Sequence, residues 1–262
     1  MRITLVQSSL CWGDVEGNLA AFDPKITQIA GSDLILLPEM FASGSILLKN
    51  EEGETRREIE RTAACYEKIR ERMGEWARQT GALVIGSTVY GKGEKFYNRM
   101  IAAFPGGTYG FYDKRHGFSM AGENRFITAG QRQTVLEFRG VKIALFICYD
   151  LRFPVWSRNT QGYDLAVYAA NWPASRREAW NILLRARAVE NQCYVAGVNC
   201  VGRDPGGNVY SGDSVLLNAK GEIVVACPTE EESLVTGELS PDELDSFRKK
   251  FPVLADRDHF LL

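Results

Sequence analysis

The chain has 262 residues, a formal net charge of −2, 45% hydrophobic residues and 24% charged residues. This near-neutral balance argues against a nucleic-acid partner, and no apolar run is long enough to span a membrane. Six irregularly spaced cysteines and only two histidines predict neither a disulfide framework nor a metal site. We therefore expect a cytoplasmic protein with a large core and no cofactor.

Short apolar runs rich in β-branched residues alternate with longer amphipathic segments. The sequence opens on the first of these runs, which is typical of a strand and does not have the basic and apolar regions of a signal peptide. The predicted strands are 3–7, 34–37, 82–90, 98–104, 134–138, 142–147, 165–169, 193–199, 214–217, 223–226 and 234–238. The predicted helices are 15–30, 55–80, 155–159, 176–191 and 241–249. Glycine turns at 106–107 and 219–221 indicate hairpins. The pattern predicts one α/β domain over residues 1–262, with mixed sheets covered by helices.

Two candidates for chemistry follow predicted strands. Glu39 comes directly after Pro38 at the end of the strand at 34–37. The carboxyl ends of strands form ligand crevices in α/β folds, so Glu39 is a candidate proton acceptor. Lys114 follows an aromatic strand, and its charge would lower the pKa of a nearby thiol and stabilise an oxyanion. Taken alone, each residue is more typical of a solvated surface.

Cys148 is the third candidate, because the buried strand at 142–147 ends directly before it. A reactive side chain on the sharp turn after a strand is typical of a nucleophile elbow, where the next backbone N–H, that of Tyr149, points at the oxyanion. Most free cysteines are inert and buried, but the two candidates above supply the partners that a thiol nucleophile needs. A Cys–His pair with His116 is the alternative way to activate the thiol.

Three motifs, in this order, resemble the nitrilase superfamily of carbon–nitrogen hydrolases, whose triad is Glu, Lys and Cys. They are LPEMF at 37–41, YDKRH at 112–116 and ICYDLRFP at 147–154. Further runs resemble the bacterial omega-amidase branch of that superfamily. They are MAGE at 120–123, CYDLRFPVWSR at 148–158, ANWPA at 170–174 and ARAVENQ at 186–192. The resemblance extends over essentially the whole chain.

The resemblance implies a four-layer αββα sandwich and an amidohydrolase that works through a thioester acyl-enzyme on the cysteine. Glu39 would take the thiol proton, while Lys114 and the backbone N–H of Tyr149 would hold the oxyanion. Glu123 would be an auxiliary carboxylate near the lysine, or would alternatively neutralise Arg125. Omega-amidases release ammonia from 2-oxoglutaramate or 2-oxosuccinamate. The expected partners are therefore a small amide and water.

Such a substrate carries a carboxylate, which a bidentate arginine binds well. The candidates for this contact are Arg115, Arg176 and Arg177, with Phe118 and Trp172 as walls of the pocket. Other functions fit the same motifs. They are a nitrilase, another short aliphatic amidase, a glutaminase module that works with a second domain, and a catalytically silent binding module.

Members of the superfamily usually form homodimers whose C-terminal tails reach over the partner. The apolar tail at about 250–262 suits that role in a homodimer or higher homo-oligomer, or alternatively packs on its own subunit. Asp150 and Arg152 are expected to pair beneath the elbow, since a buried arginine usually has such a partner.

Overall fold

The computed structural model describes residues 1–45 and 52–258, which form β-strands and α-helices in close alternation. The strands are β1 (Arg2–Gln7), β2 (Leu34–Leu36), β3 (Leu83–Lys92), β4 (Lys95–Ala103), β5 (Tyr109–Asp113), β6 (Val135–Phe138), β7 (Val141–Ile147), β8 (Leu165–Ala170), β9 (Tyr194–Asn199), β10 (Val201–Arg203), β11 (Val209–Ser211), β12 (Val215–Leu217), β13 (Ile223–Ala226) and β14 (Ser233–Glu238). The helices are α1 (Val15–Thr27), α2 (Glu52–Ala64), α3 (Tyr66–Thr80), α4 (Arg177–Asn191) and α5 (Pro241–Lys250). Within the described ranges, none of these helices is both long and apolar enough to cross a bilayer.

Two six-stranded sheets have the strand orders β14-β1-β2-β3-β4-β5 and β13-β12-β9-β8-β7-β6. Strands β1, β2 and β3 are parallel, as are β7, β8 and β9, whereas the outer strands of both sheets are antiparallel. The hairpin turns predicted at 106–107 and 219–221 connect β4 to β5 and β12 to β13. Each sheet therefore has a parallel centre, whose strand ends meet at one edge.

The alternation of side chains along the strands separates two layers of core. On β2, Leu34 and Leu36 belong to the core between the sheets, whereas Ile35 packs with α1 and α3 on the outer face. On the far side of the second sheet, Gly197 of β9 leaves room for Trp180 and Leu184 of α4. The order is thus helix, sheet, sheet, helix. The predicted four-layer αββα sandwich of an α/β fold is confirmed.

Three local predictions differ from the structure. The single helix predicted at 55–80 is two helices, because Cys65 between them has φ −88° and ψ 0° and departs from helical geometry. The helix predicted at 155–159 is wrong, because this segment forms turns and the backbone N–H of Asn159 donates to Asn191 of α4. The three-residue strands β10 and β11 were not predicted, since they are too short to show an alternating pattern.

Candidate active site

Lys114 follows β5 and is buried between two carboxylates, with 3% of its surface exposed. Its Nζ lies 2.9 Å from Oε1 of Glu39, and 3.0 and 2.9 Å from Oε1 and Oε2 of Glu123. Burial alone would lower the pKa of Lys114, but the charges of Glu123 and Glu39 outweigh it and raise the pKa well above its usual range. Lys114 is therefore a fixed cation that keeps its proton near neutral pH.

Glu39 lies just past the carboxyl end of β2 and is oriented by three donors. Its Oε1 accepts from Nδ2 of Asn98 at 2.7 Å and from Lys114, and its Oε2 accepts from the backbone N–H of Asn171 at 3.0 Å. The negative charge of this carboxylate also acts on the thiol of Cys148, whose pKa it raises. Glu39 is thus a fixed carboxylate that faces the same pocket as the thiol.

Cys148 occupies the turn between β7 and a 3-10 helix over Cys148–Arg152. Its φ of 44° is in the left-handed region, which disfavours residues other than glycine by roughly 1–2 kcal/mol. Strain of this kind persists only where the surrounding structure holds it in place. The conformation places the thiol at the floor of a pocket, partly exposed to it.

Burial and the negative charge of Glu39 raise the pKa of the Cys148 thiol well above its usual range, although Lys114 lowers it. The sequence suggested a pKa lowered by Lys114. The direction is reversed because burial, together with the negative charges of Glu39 and Glu123, outweighs the one ammonium. The resting group is therefore a neutral thiol, which needs a base to take its proton before it can act as a nucleophile.

Comparison with known proteins shows the family of the chain. The sequence profile of the carbon–nitrogen hydrolase family matches residues 2–249. The chain is 43% identical to omega-amidase YafV of Yersinia enterocolitica over 262 residues, which cover 100% of this chain and 98% of that protein. The chain belongs to the carbon–nitrogen hydrolase family. It is also 35% identical to 2-oxoglutaramate amidase of Bacillus subtilis, over 86% of this chain and 85% of that one.

A solved structure of this family has the same fold. It is XC1258 from Xanthomonas campestris, described as a CN-hydrolase superfamily protein with an arsenic adduct in its active site. It superposes with a TM-score of 0.93 at 36% identity and covers 100% of this chain and 98% of its own. The resemblance to the nitrilase superfamily is confirmed, and the protein is a hydrolase that acts on carbon–nitrogen bonds in amides.

The pocket of this carbon–nitrogen hydrolase has a volume of about 550 Å³ above the thiol. Two of its walls are the predicted aromatic residues Phe118 and Trp172. A guanidinium group lies over each wall: that of Arg176 is 5.3 Å from the Phe118 ring, and that of Arg152 is 4.9 Å from the Trp172 ring. The pocket therefore carries two arginines besides the buried lysine.

The other two predicted arginines have partners elsewhere. The guanidinium of Arg115 donates to the Gly130 carbonyl at 3.0 Å, and that of Arg177 pairs with Asp213 at 2.5 Å. Neither arginine is among the described residues that line the pocket. Arg176 alone of the three predicted arginines faces the substrate space.

Asp150 and Arg152 do not pair as expected. Asp150 is fully buried and contacts His116, whereas Arg152 turns toward the pocket over Trp172. Nδ1 of His116 lies 2.8 Å from Oδ1 of Asp150, and its ring stacks on Phe153 with 3.8 Å between centroids. These contacts orient His116 toward Asp150.

Asn98 and Asn171, which hold Glu39, were not predicted as site residues from the sequence. Asn171 directly follows β8 and so resembles Glu39 in its position after β2. A polar residue at a strand end is therefore the signal that could have found it. Asn98 lies inside the antiparallel strand β4, where no such signal exists. The side-chain amide of Asn171 is buried beside the pocket and has no hydrogen-bond partner within residues 1–45 and 52–258.

Proposed function

We propose that the protein is an omega-amidase, which hydrolyses the terminal amide of a short 2-oxo dicarboxylic acid monoamide such as 2-oxoglutaramate. The observation that carries the proposal is a single pocket lined by the thiol of Cys148, the carboxylate of Glu39 and the ammonium of Lys114, together with two arginines. The names of the two relatives, omega-amidase and 2-oxoglutaramate amidase, support the same substrate class.

Acylation would begin with Cys148, Glu39 and Lys114 acting as a triad. Glu39 accepts the thiol proton as the sulfur attacks the amide carbonyl, which produces a tetrahedral oxyanion. The ammonium of Lys114 and the backbone N–H of Tyr149 donate to this oxygen, and each such donor is typically worth about 10²–10³ in rate. Glu39 then returns the proton to the amide nitrogen, the carbon–nitrogen bond breaks, and ammonia leaves a thioester.

Deacylation would reverse these roles with water in place of the thiol. Glu39 takes a proton from a water molecule, which attacks the thioester, and the carbon–sulfur bond breaks to give the acid and the thiol. Glu123 assists by holding Lys114 in position. Its own Oε2 accepts from the backbone N–H of Phe118 at 2.6 Å, which fixes this auxiliary carboxylate in turn.

The second carboxylate of the substrate would bind Arg152 and Arg176. Both side chains are exposed to the pocket, and charge-assisted hydrogen bonds from guanidinium to carboxylate are among the strongest in proteins. The unpartnered amide of Asn171 is available to the 2-oxo group. Phe118 and Trp172 would enclose the short carbon chain between these polar groups.

Ammonia release tests this proposal on 2-oxoglutaramate, glutamine and a simple aliphatic nitrile, with Cys148→Ala as the control. We expect release from the oxo-amide alone, and none from the variant. Preferential release from the nitrile or from glutamine would keep the nucleophile but overturn the substrate. No release from any of the three would favour a different amide or a binding module, and iodoacetamide labelling of Cys148 would then separate an enzyme from an inert protein.

We further propose a homodimer built on α4. Ile182 and Val189 lie two helical turns apart on α4 and are 62% and 53% exposed. Arg185 between them donates to the carbonyl of Gly221 in the β12–β13 turn, and Ile223 in β13 is also exposed. Exposed apolar groups that adjoin in this way are typical of an interface, and the family resemblance implies that a second copy of the chain covers it.

We also propose a single-domain organisation and a cytoplasmic location. Residues 1–262 would be one domain, in which the tail begins at about residue 250. The described part of the tail contacts its own chain, since the Phe251 carbonyl accepts from Gln192 at 2.6 Å, and residues 259–262 lie outside the described residues. The described cysteines are all free, which supports a cytoplasmic location.

A further inference from the structure

Four hydrogen-bond donors surround the carboxylate of Asp150, which has no exposed surface. Oδ2 accepts from the hydroxyl of Tyr112 at 2.7 Å and from the backbone N–H of Ile147 at 3.0 Å. Oδ1 accepts from the backbone N–H of His116 at 3.0 Å and lies 2.8 Å from Nδ1 of the same residue. The side chain of Asp150 thus connects Tyr112 and His116 to the segment that contains Ile147.

The positions of these donors relative to the triad are specific. Tyr112 and His116 lie two residues before and two residues after Lys114, and Ile147 lies directly before Cys148. The segment with the lysine comes from β5 of the first sheet, and the segment with the cysteine follows β7 of the second. Asp150 therefore joins the two sheets at the point where each contributes a reacting group.

Further contacts hold the same junction. The indole N–H of Trp156 donates to the hydroxyl of Tyr112 at 3.0 Å, and the ring of Phe153 stacks on His116. The hydrogen bonds named here do not include Glu39. The base is instead held by Asn98 and by the backbone at Asn171. Two separate sets of contacts thus fix the base and the nucleophile.

We propose that Asp150 is a positioning residue that sets the placement of the Cys148 thiol against the Lys114 ammonium. This inference rests on the proposed function, in which both groups act on one carbonyl. The strained backbone of Cys148 needs support of this kind, because a relaxed turn would withdraw the thiol from the pocket floor. A misplacement of about 1 Å lowers the rate of an enzyme by about 10²-fold.

Asparagine is the sharpest replacement, because its shape is the same but its chemistry differs. One carboxylate oxygen becomes an NH₂ group, which is a donor and would face donors on either side. The variant Asp150→Asn therefore loses the contacts on one oxygen. Tyr112→Phe removes a single donor and keeps the ring. Tyr163→Phe is the matched control, since this buried hydroxyl donates to the carbonyl of Ser157 and does not contact Asp150.

The experiment measures kcat and KM for ammonia release and the pH midpoint of iodoacetamide alkylation at Cys148. Mass spectrometry of the Cys148 peptide identifies the modified thiol, because Cys11 is also exposed. For Asp150→Asn we expect kcat to fall about 10²-fold while KM changes little. The alkylation midpoint should rise, since the thiol is no longer held beside the charge of Lys114 that lowers its pKa. For Tyr112→Phe we expect a fall in kcat of about tenfold.

The control variant Tyr163→Phe should lose stability and keep both kcat and the alkylation midpoint. Wild-type values of kcat and midpoint in folded Asp150→Asn and Tyr112→Phe would overturn the proposal, as would an equal loss of kcat in Tyr163→Phe. If Asp150→Asn does not fold, Tyr112→Phe decides. If the wild-type protein releases no ammonia from 2-oxoglutaramate, the proposed substrate fails, and the alkylation midpoints still decide the role of Asp150.

Discussion

Nζ of Lys114 lies 2.9 Å from Oε1 of Glu39, and less than a tenth of either side chain is exposed. Removing charges from water is unfavourable, so each buried charge of this pair needs the other as its partner. In the proposed mechanism the pair also combines a base and a fixed cation within one hydrogen bond. Replacing either member should therefore change both stability and rate.

Glu39→Gln should lower kcat by about 10²–10⁴-fold and leave KM within a few-fold of the wild type, because an amide cannot accept the thiol proton. Ammonia release at pH 7 measures both constants. Glu58→Gln replaces another largely buried glutamate, which pairs with Arg61 away from the pocket, and should keep the wild-type rate. A rate in Glu39→Gln within twofold of the wild type would show that a different group is the base.

Lys114→Met should lower the free energy of unfolding by about 3–5 kcal/mol, because Glu39 and Glu123 would then face each other without a cation. Urea denaturation at pH 7 measures the change. The double variant Lys114→Met/Glu123→Gln removes one of the opposed charges and should regain part of the loss. If the single variant is as stable as the wild type, the buried ion pair does not hold the three segments together.

Arg152→Ala and Arg176→Ala should each raise KM for 2-oxoglutaramate by about tenfold or more, which is the effect of losing a charge-assisted hydrogen bond. A short aliphatic amide without a carboxylate should show little change. Arg177→Ala, at the residue directly after Arg176, is a matched control, and it should lower the melting temperature through the loss of its pair with Asp213 while KM stays constant. Equal KM values in all variants would place the substrate carboxylate elsewhere.

Glu232 predicts a pH dependence of stability outside the active site. Burial favours its neutral form, but hydrogen bonds from Ser9 and Lys25 outweigh burial and lower the pKa from 4.5 to about 2. A pKa lower in the folded state stabilises the protein above pH 4.5, and this contribution is lost as the pH falls from about 4.5 to about 2. Because the side chain is 45% exposed, solvent screening limits the contribution to about 1 kcal/mol.

Glu232→Gln should therefore destabilise the protein at pH 7 and have little effect near pH 2. Urea denaturation at a series of pH values measures this difference, preferably at low salt, where surface charges are least screened. The exposed neighbour Glu231 provides the control variant Glu231→Gln, which should show no such trend. A constant difference between wild type and Glu232→Gln from pH 7 to pH 2 would contradict the prediction.

Ile182→Glu should convert the proposed homodimer into a monomer, because it places a charge in the centre of the exposed apolar face of α4. Light scattering coupled to size exclusion measures the mass in solution. Glu178→Gln, an exposed change one turn earlier on α4, should leave the assembly intact. A wild-type protein that is monomeric in solution would contradict the proposed homodimer.

The three members of the proposed triad could be recognised from sequence because each follows a strand. An apolar run that ends in a reactive side chain is a local pattern that precedes Glu39 and Cys148, whereas Lys114 follows the aromatic segment at 109–113. The two-sheet architecture followed from the resemblance rather than from periodicity. Periodicity alone gives faces of strands and helices, and says nothing about which faces meet.

The partners of the arginines and of Asp150 could not be predicted in this way. Arg177 pairs with Asp213, which lies 36 residues away in the sequence. The residues next to Arg177 in the sequence therefore gave no indication of this partner. The expected pair of Asp150 with Arg152 rested on proximity along the chain. The sandwich instead brings Tyr112 to Asp150 from the other sheet, 38 residues away. Such contacts depend on how the two sheets pack, which is a property of the whole fold.

The left-handed backbone at Cys148 restricts which residues could replace this proposed nucleophile. A threonine would bring a β-branched side chain to a φ of 44°, where branching at Cβ is sterically disfavoured, so a threonine nucleophile is excluded from this turn. Serine meets no such restriction. Glycine would relax the turn altogether, and Cys148→Gly should be an inactive protein that resists heat better than the active one. The enzyme thus keeps a strained backbone conformation at Cys148, its proposed nucleophile. Selection for stability alone would favour a residue without this strain.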